Sequence, residues 1–143
     1  AIAYELGDFK AKFNSSNVVN FQQVKQNIQK KDFKIVDARS EGRFNGTANE
    51  PRKHLQSGNI IDSINIPYTD VLKNGQFKSI TELHKIFVDK CGDDTKLVFS
   101  CGSGLTACIV LLANEISHKG NSRLYDGSWT EWAELNNLKK NVV

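Results

Sequence analysis

The 143-residue chain contains no methionine, not even at its first position, which reads as a processed chain or a piece of a longer one. No apolar run approaches the roughly 18 residues that a membrane span requires, so no membrane partner is expected. Internal repeats, low-complexity segments and long charged runs are absent. The formal charge is only +3, and Lys30-Lys31, Arg52-Lys53 and Lys139-Lys140 read as short stretches of solvated surface. Such a balance argues against a nucleic-acid footprint and is compatible with a small anionic substrate. Cysteine is scarce: Cys91, Cys101 and Cys108 leave one thiol over in any disulfide scheme. A stapled, secreted domain is therefore disfavoured, and a reducing compartment, cytoplasmic or mitochondrial, is expected. Two glycosylation-type tripeptides, Asn14-Ser15-Ser16 and Asn45-Gly46-Thr47, are of a kind that arises often by chance. The start of the chain mixes Glu5, Asp8, Lys10 and Lys12 with apolar residues and does not read as a secretory signal. His54, His84 and His118 are scattered and no Cys-x-x-Cys pair exists, so neither a metal nor a cofactor is expected.

What is present is the material of one ordinary α/β domain. Residues 1–17 lack a sustained period and read as an N-terminal arm or interdomain linker remnant, leaving residues 18–143 as the folded domain. Val18-Val19 can form a short strand, after which Asn20 can cap a helix over 21–30 carrying Phe21, Val24 and Ile28 at helical spacing. Residues 33–37 read as a strand ending in Asp37. A polar, glycine-containing loop fills 38–58, and another strand lies within 60–67. A short helix at 69–72 precedes the turn signal Asn74-Gly75. A helix follows over 81–90, with Leu83, Ile86 and Phe87 on one face. Residues 97–100 form an apolar strand, and the helix from 105 to about 117 is apolar almost all round, which predicts burial. Leu124-Tyr125 reads as a final short strand, and Ser128 as the cap of a helix carrying Trp129, Trp132 and Leu135. Strands that are continuous apolar runs alternating with helices predict a three-layer sandwich, with a mainly parallel sheet of about five strands covered on both faces. Ligands in such folds bind beyond the carboxyl ends of the strands, the edge at which Asp37 and Cys101 sit.

Cys101-Gly102-Ser103-Gly104 is the most informative segment, because it joins the apolar strand 97–100 to a helix. That order surrounds a thiol with backbone N–H groups at a helix N-terminus, where an anion is stabilised. A free cysteine, with a pKa of about 8.5, is only a few per cent ionised near neutrality. The helix dipole contributes at most about 2 kcal/mol, or about 1.5 pKa units, so direct hydrogen bonds to sulfur must contribute too. Gly102 and Gly104 let the loop curl, and Ser103 and Thr106 add hydroxyls. The competing reading, an inert buried cysteine that merely ends a strand, does not account for the glycine-rich sequel. A phosphate-binding loop would need a lysine where Leu105 stands. A cysteine phosphatase would need an arginine where Ala107 stands. Cys108, about 10 Å along the helix axis from Cys101, reads as core and as no disulfide partner.

Six segments in order carry a family resemblance: Val36-Asp37-Ala38-Arg39, Gly42-Arg43-Phe44-Asn45-Gly46-Thr47, Glu50-Pro51-Arg52, Asn65-Ile66-Pro67, residues 101–107, and Tyr125-Asp126-Gly127-Ser128-Trp129-Thr130-Glu131-Trp132. Together they resemble the C-terminal, catalytic half of a two-domain rhodanese-type sulfurtransferase. The loop Cys101-Gly102-Ser103-Gly104 is similar to that of the 3-mercaptopyruvate kind, whereas thiosulfate-preferring members carry Cys-Arg-Lys-Gly. The resemblance implies that Cys101 takes sulfur as a persulfide from 3-mercaptopyruvate and passes it to a thiol or thioredoxin-like acceptor. It gives Ser103 a part in proton transfer and Arg43 and Arg52 the substrate carboxylate and keto group. Gly102, Gly104, Leu105 and Thr106 would line the substrate site, with Asp37, Asp126 and Trp129 in support. Guanidinium forks suit such a carboxylate. It also implies a partner N-terminal rhodanese-like domain that lends an aspartate and a histidine, so an isolated domain would be weakly active. Residues 58–63, Gly-Asn-Ile-Ile-Asp-Ser, depart from the Gly-His-Ile-Pro-Gly-Ala common in the family. Thiosulfate as donor and a non-catalytic interaction module are the alternatives.

Overall fold

The computed structural model describes residues 7–93, 96–117, 120 and 122–138. Helix α1 (Phe21–Lys30) begins with a reciprocal cap: the Gln23 N–H donates to Asn20 Oδ1 at 3.0 Å, and the Asn20 N–H donates to Gln23 Oε1 at 2.9 Å. It ends on Lys31 in the left-handed region (φ 56°). The buried Asn27 amide then exchanges two hydrogen bonds with the Phe33 backbone and aims the chain into strand β1 (Lys34–Asp37). The short helix α2 (Glu41–Phe44) interrupts the long polar loop before β2 (Ile64–Asn65). A 3₁₀ turn over Tyr68–Val71 leads to the hairpin β3 (Leu72–Lys73) and β4 (Gln76–Phe77). Asn74 and Gly75 turn that hairpin with φ of 52° and 77°, the two positive values a tight antiparallel turn needs. Helix α3 (Ile80–Cys91) is capped by a Ser79–Glu82 box and leads to β5 (Leu97–Ser100). Then come α4 (Leu105–Ile116), β6 (Ser122–Leu124) and α5 (Ser128–Leu135).

The main sheet has the order β2-β1-β5-β6, and its pairings are all parallel. Among the described residues it has four strands, where the sequence predicts about five. Val18 supplies only a single parallel bridge to Leu124, reinforced by the Val19 N–H on the Leu124 carbonyl at 2.8 Å. Tyr125 lies just past β6 rather than in it, its N–H on the Phe99 carbonyl.

Alternation along the strands sends side chains into two cores. Val36, Leu97 and Phe99 pack with Leu83 and Phe87 of α3 and with Ala107, Val110 and Ala113 of α4. Ile35 and Val98 pack on the other side with Val24 of α1 and Trp129, Trp132 and Ala133 of α5. The sheet is thus covered on both faces, each fully buried large apolar side chain contributing about 1.5–3 kcal/mol.

Two expectations fail here. Helix α4 is not buried all round: Leu105 is 77% and Leu112 48% exposed, and Cys108 is exposed rather than core. A helix in an outer layer has one face against the sheet, and on α4 that face is the Ala107, Val110 and Ala113 side. Ser128 is not a helix cap either, since Gly127 holds that position and Ser128 is the first helical residue.

Candidate active site

The register pairs Asp37 with Ser100, so β1 and β5 end level and release Ala38 and Cys101 at one edge. Cys101 is buried, only 2% exposed, but its sulfur is not sealed among apolar groups. The thiol accepts hydrogen bonds from the Thr106 hydroxyl and from the backbone N–H groups of Ser103, Ala107 and Thr106. Burial pushes its pKa up, and these donors outweigh burial, leaving the thiol below its ordinary value. The thiolate form is thereby favoured at the start of α4.

The loop that does this is shaped from behind by Ser128. Its hydroxyl accepts the N–H of Cys101 at 3.0 Å and of Gly104 at 3.1 Å, and donates to the Tyr125 carbonyl at 2.9 Å. Ser128 is fully buried and adopts φ 54°, an uncommon conformation for a residue with a side chain. The first amides of α5 complete the clamp: Trp129 N–H donates to the Cys101 carbonyl, and Thr130 N–H and hydroxyl donate to that of Gly102. Carbonyls are thereby drawn away from the sulfur while amides face it.

Gly104 turns the loop into α4 with φ 84°, and a side chain there would run into the Asp126 carboxylate. Gly102 is bare for a different reason. A Cβ at that position would come within 2.7 Å of Arg43 Nη2, so the guanidinium lies directly against the loop.

Arg43 is held there by Glu50, which accepts from its Nε at 3.1 Å and its Nη2 at 2.6 Å. Glu50 also accepts from Arg39 Nη1 at 2.8 Å. Arg39 is fully buried, bonds the Asp37 carboxylate through Nε and Nη2, and donates to the Gly58 carbonyl. Its guanidinium carbon lies 4.6 Å from the centroid of the Trp129 ring. Burial pushes the Asp37 carboxyl up, against the downward pull of Arg39. Asp37, Arg39, Glu50 and Arg43 therefore form one charge-balanced chain running from the end of β1 to the cysteine loop.

The structure gathers Cys101, Gly102, Gly104, Thr106, Arg43, Asp126 and Ser103 around the loop, with Asp37 and Trp129 behind it. Ser103 is exposed, and its N–H faces the sulfur. Leu105 points largely to solvent. Arg52 is exposed and makes no ion pair among the described residues. Arg39, Glu50 and Ser128 are the residues that sequence reasoning missed as organisers of the site. Arg39 and Glu50 stand within the family motifs, but nothing local marks a loop arginine and glutamate as buried. Cys108, on the exposed side of α4, donates to the Gly104 carbonyl at 3.3 Å, and burial, Cys101 and Asp126 push its thiol up. His54 and His84 are exposed, whereas His118 and Lys139-Lys140 lie outside the described residues. Among the described residues no three His, Cys, Asp or Glu side chains converge as a metal site requires, and no helix is long and apolar enough to cross a membrane.

A cysteine at the carboxyl edge of a doubly covered parallel sheet, its sulfur ringed by backbone amides, defines a domain built around one activated thiol. The chain belongs to the rhodanese-like domain family, whose model matches residues 20–135. It is 40% identical over 127 residues to human 3-mercaptopyruvate sulfurtransferase, a match covering 87% of this chain and 43% of that protein. Mouse thiosulfate sulfurtransferase is 45% identical over 127 residues, with the same coverage. The structure of the sulfur transferase subunit of yeast mitochondrial complex I superposes with a TM-score of 0.78 at 37% identity, over 87% of this chain and 45% of that one. The chain therefore spans a little under half the length of these relatives.

Proposed function

We propose that this domain is a 3-mercaptopyruvate sulfurtransferase centre in which Cys101 carries the sulfur. The observation that carries this reading is the ring of donors on the Cys101 sulfur, from Thr106, Ser103 and Ala107. In the reaction the Cys101 thiolate attacks the thiol sulfur of 3-mercaptopyruvate and the carbon–sulfur bond breaks. The electron pair passes to the carbon as an enolate, which takes a proton to give pyruvate, and Cys101 is left as a persulfide. The same amides then stabilise Cys101 as the leaving thiolate when a thiol or thioredoxin-like acceptor attacks the outer sulfur.

Arg43 is the cation in contact with the loop and binds the substrate carboxylate, and Arg52 joins it once substrate is present. Ser103 assists proton transfer from the open side. Gly102, Gly104, Leu105 and Thr106 line the substrate site, with Asp37, Asp126 and Trp129 in support. Residues 1–17 act as an arm or linker and 18–143 as the catalytic domain. A second rhodanese-like domain, supplying the remaining half of the relatives' length, completes the site. The reduced thiols suit a cytoplasmic or mitochondrial setting.

Thiosulfate is the second reading, favoured by the 45% identity to a relative of that name. Mass measurement after incubation with each donor tests both. One added sulfur on Cys101 from 3-mercaptopyruvate supports the first reading, and an adduct from thiosulfate alone supports the second. The absence of any adduct would leave a non-catalytic interaction module.

A further inference from the structure

A second charged cleft, of about 430 Å³, lies between the flank of α1 and the leading ends of β5 and β6. Its polar wall includes Gln23, Gln26, Lys30, Asp32, Lys96 and Arg123. On α1, Gln23, Gln26 and Lys30 share one side of the helix, while Val24 and Ile28 on the adjoining side pack into the core. Lys96 stands just before β5, and the stretch from it to Cys101 spans about 16 Å at the rise of a strand. The cleft and the thiol therefore lie at opposite edges of the sheet. Three cations meet one carboxylate in it, and none of the four forms an ion pair among the described residues. Arg123 is half-buried, with its guanidinium carbon 5.1 Å from the centroid of the Phe33 ring. Phe33 is itself fixed by the two hydrogen bonds that its backbone exchanges with the buried Asn27 amide. Gln23 gives its oxygen to the Asn20 N–H, which leaves its amide nitrogen as a donor.

We propose that this cleft binds a phosphate-bearing polyanion, of which the diphosphate group is the simplest form. Three cations against one carboxylate leave an excess of positive charge on a concave wall, which concentrates anions. Like charges without counter-ions also repel one another, and a bound anion relieves that repulsion. The cations approach from three elements: Lys30 from α1, Lys96 from the entry to β5 and Arg123 from β6. Two linked phosphoryl groups can be shared among them better than one can. The planar fork of Arg123 suits two oxygens of one phosphoryl group, and its contact with Phe33 holds it in advance. The lysines act as point charges on the other oxygens. A diphosphate group alone does not fill the cleft, so room remains for an organic group attached to it. The site stands apart from the sulfur chemistry proposed for Cys101.

Titration of the whole chain with inorganic pyrophosphate and with adenosine diphosphate, followed by backbone amide NMR shifts at fixed ionic strength, tests this. Saturable shifts should centre on Lys30, Phe33, Lys96 and Arg123 and leave Gly102 to Thr106 unmoved. Arg123→Gln should weaken binding about ten-fold or more, the weight of one hydrogen bond to a charged group. Arg123→Lys, which keeps the charge and loses the fork, should fall between that variant and the parent. Lys30→Gln changes only an exposed side chain on the last turn of α1, so the fold is kept, and binding should weaken about three-fold. Tighter binding of adenosine diphosphate than of pyrophosphate would assign the rest of the cleft to the nucleoside, and equal affinities would assign the site to the diphosphate group alone. The proposal is overturned if neither compound gives saturable shifts, if the shifts gather only at the cysteine loop, or if Lys30→Gln and Arg123→Gln bind as tightly as the parent.

Discussion

Replacing Ser128 by alanine removes one oxygen atom and leaves three backbone groups without their partner. The N–H groups of Cys101 and Gly104 lose an acceptor and the Tyr125 carbonyl loses a donor, all in a setting where Ser128 itself is fully buried. An unsatisfied buried polar group costs about 1–3 kcal/mol, and partial relaxation or entering water offsets some of it, so a loss of about 2–5 kcal/mol is expected. Alanine also inherits φ 54° with its steric strain, whereas glycine does not. Ser128→Gly should therefore be less harmful than Ser128→Ala by about 1 kcal/mol, although it loses the same hydrogen bonds. Urea unfolding of the two variants and the parent gives the ordering. The same variants report on chemistry, because the loop that Ser128 gathers also aims amides at the sulfur, so iodoacetamide alkylation of Cys101 should need a higher pH in both. An alanine variant within 0.5 kcal/mol of the parent, with an unshifted alkylation profile, would refute the role given to Ser128.

Thr106→Val removes the hydroxyl on the Cys101 sulfur, so the alkylation midpoint, below that of a free thiol in the parent, should move up toward it. Because the folded thiol is depressed, its contribution to stability is present above the unfolded pKa and is lost as pH falls through the folded one. Urea unfolding across that window should show the pH dependence in the parent and not in Cys101→Ser. Glu50→Gln leaves Arg39 buried with one carboxylate instead of two and should cost about 3 kcal/mol or more in urea unfolding. In the core, Leu83→Ala should cost about 2–5 kcal/mol, because Leu83 is fully buried against the sheet. Leu112→Ala, on the exposed side of α4, should cost less than about 1 kcal/mol.

The elements that could be read in advance are those whose causes are local. Asn20 with Gln23 set the start of α1, and the apolar run of β5 stops where Cys101 begins its glycine loop. Asn74-Gly75 turned its hairpin as such a pair should. Cys101 and its amide ring were legible for the same reason, since strand, loop and helix are consecutive in the chain. Cys108 misled because helical periodicity reports which residues share a face, not whether another layer covers it. On α4 the sheet takes one side and leaves Leu105, Cys108 and Leu112 outside.

The amino-acid order by itself determined the alternation of strands and helices, the glycine loop after β5 and the cysteine within it, because backbone preference and hydrogen bonding act over a few residues. Only the tertiary structure decided that Ser128, 27 positions from Cys101, would hold the loop from behind. It also decided that Arg39 and Glu50 would be buried as the frame for Arg43. Those contacts join segments distant along the chain, and they come into being only when parallel strands align their ends and bring β1, β5 and the turn before α5 to one edge.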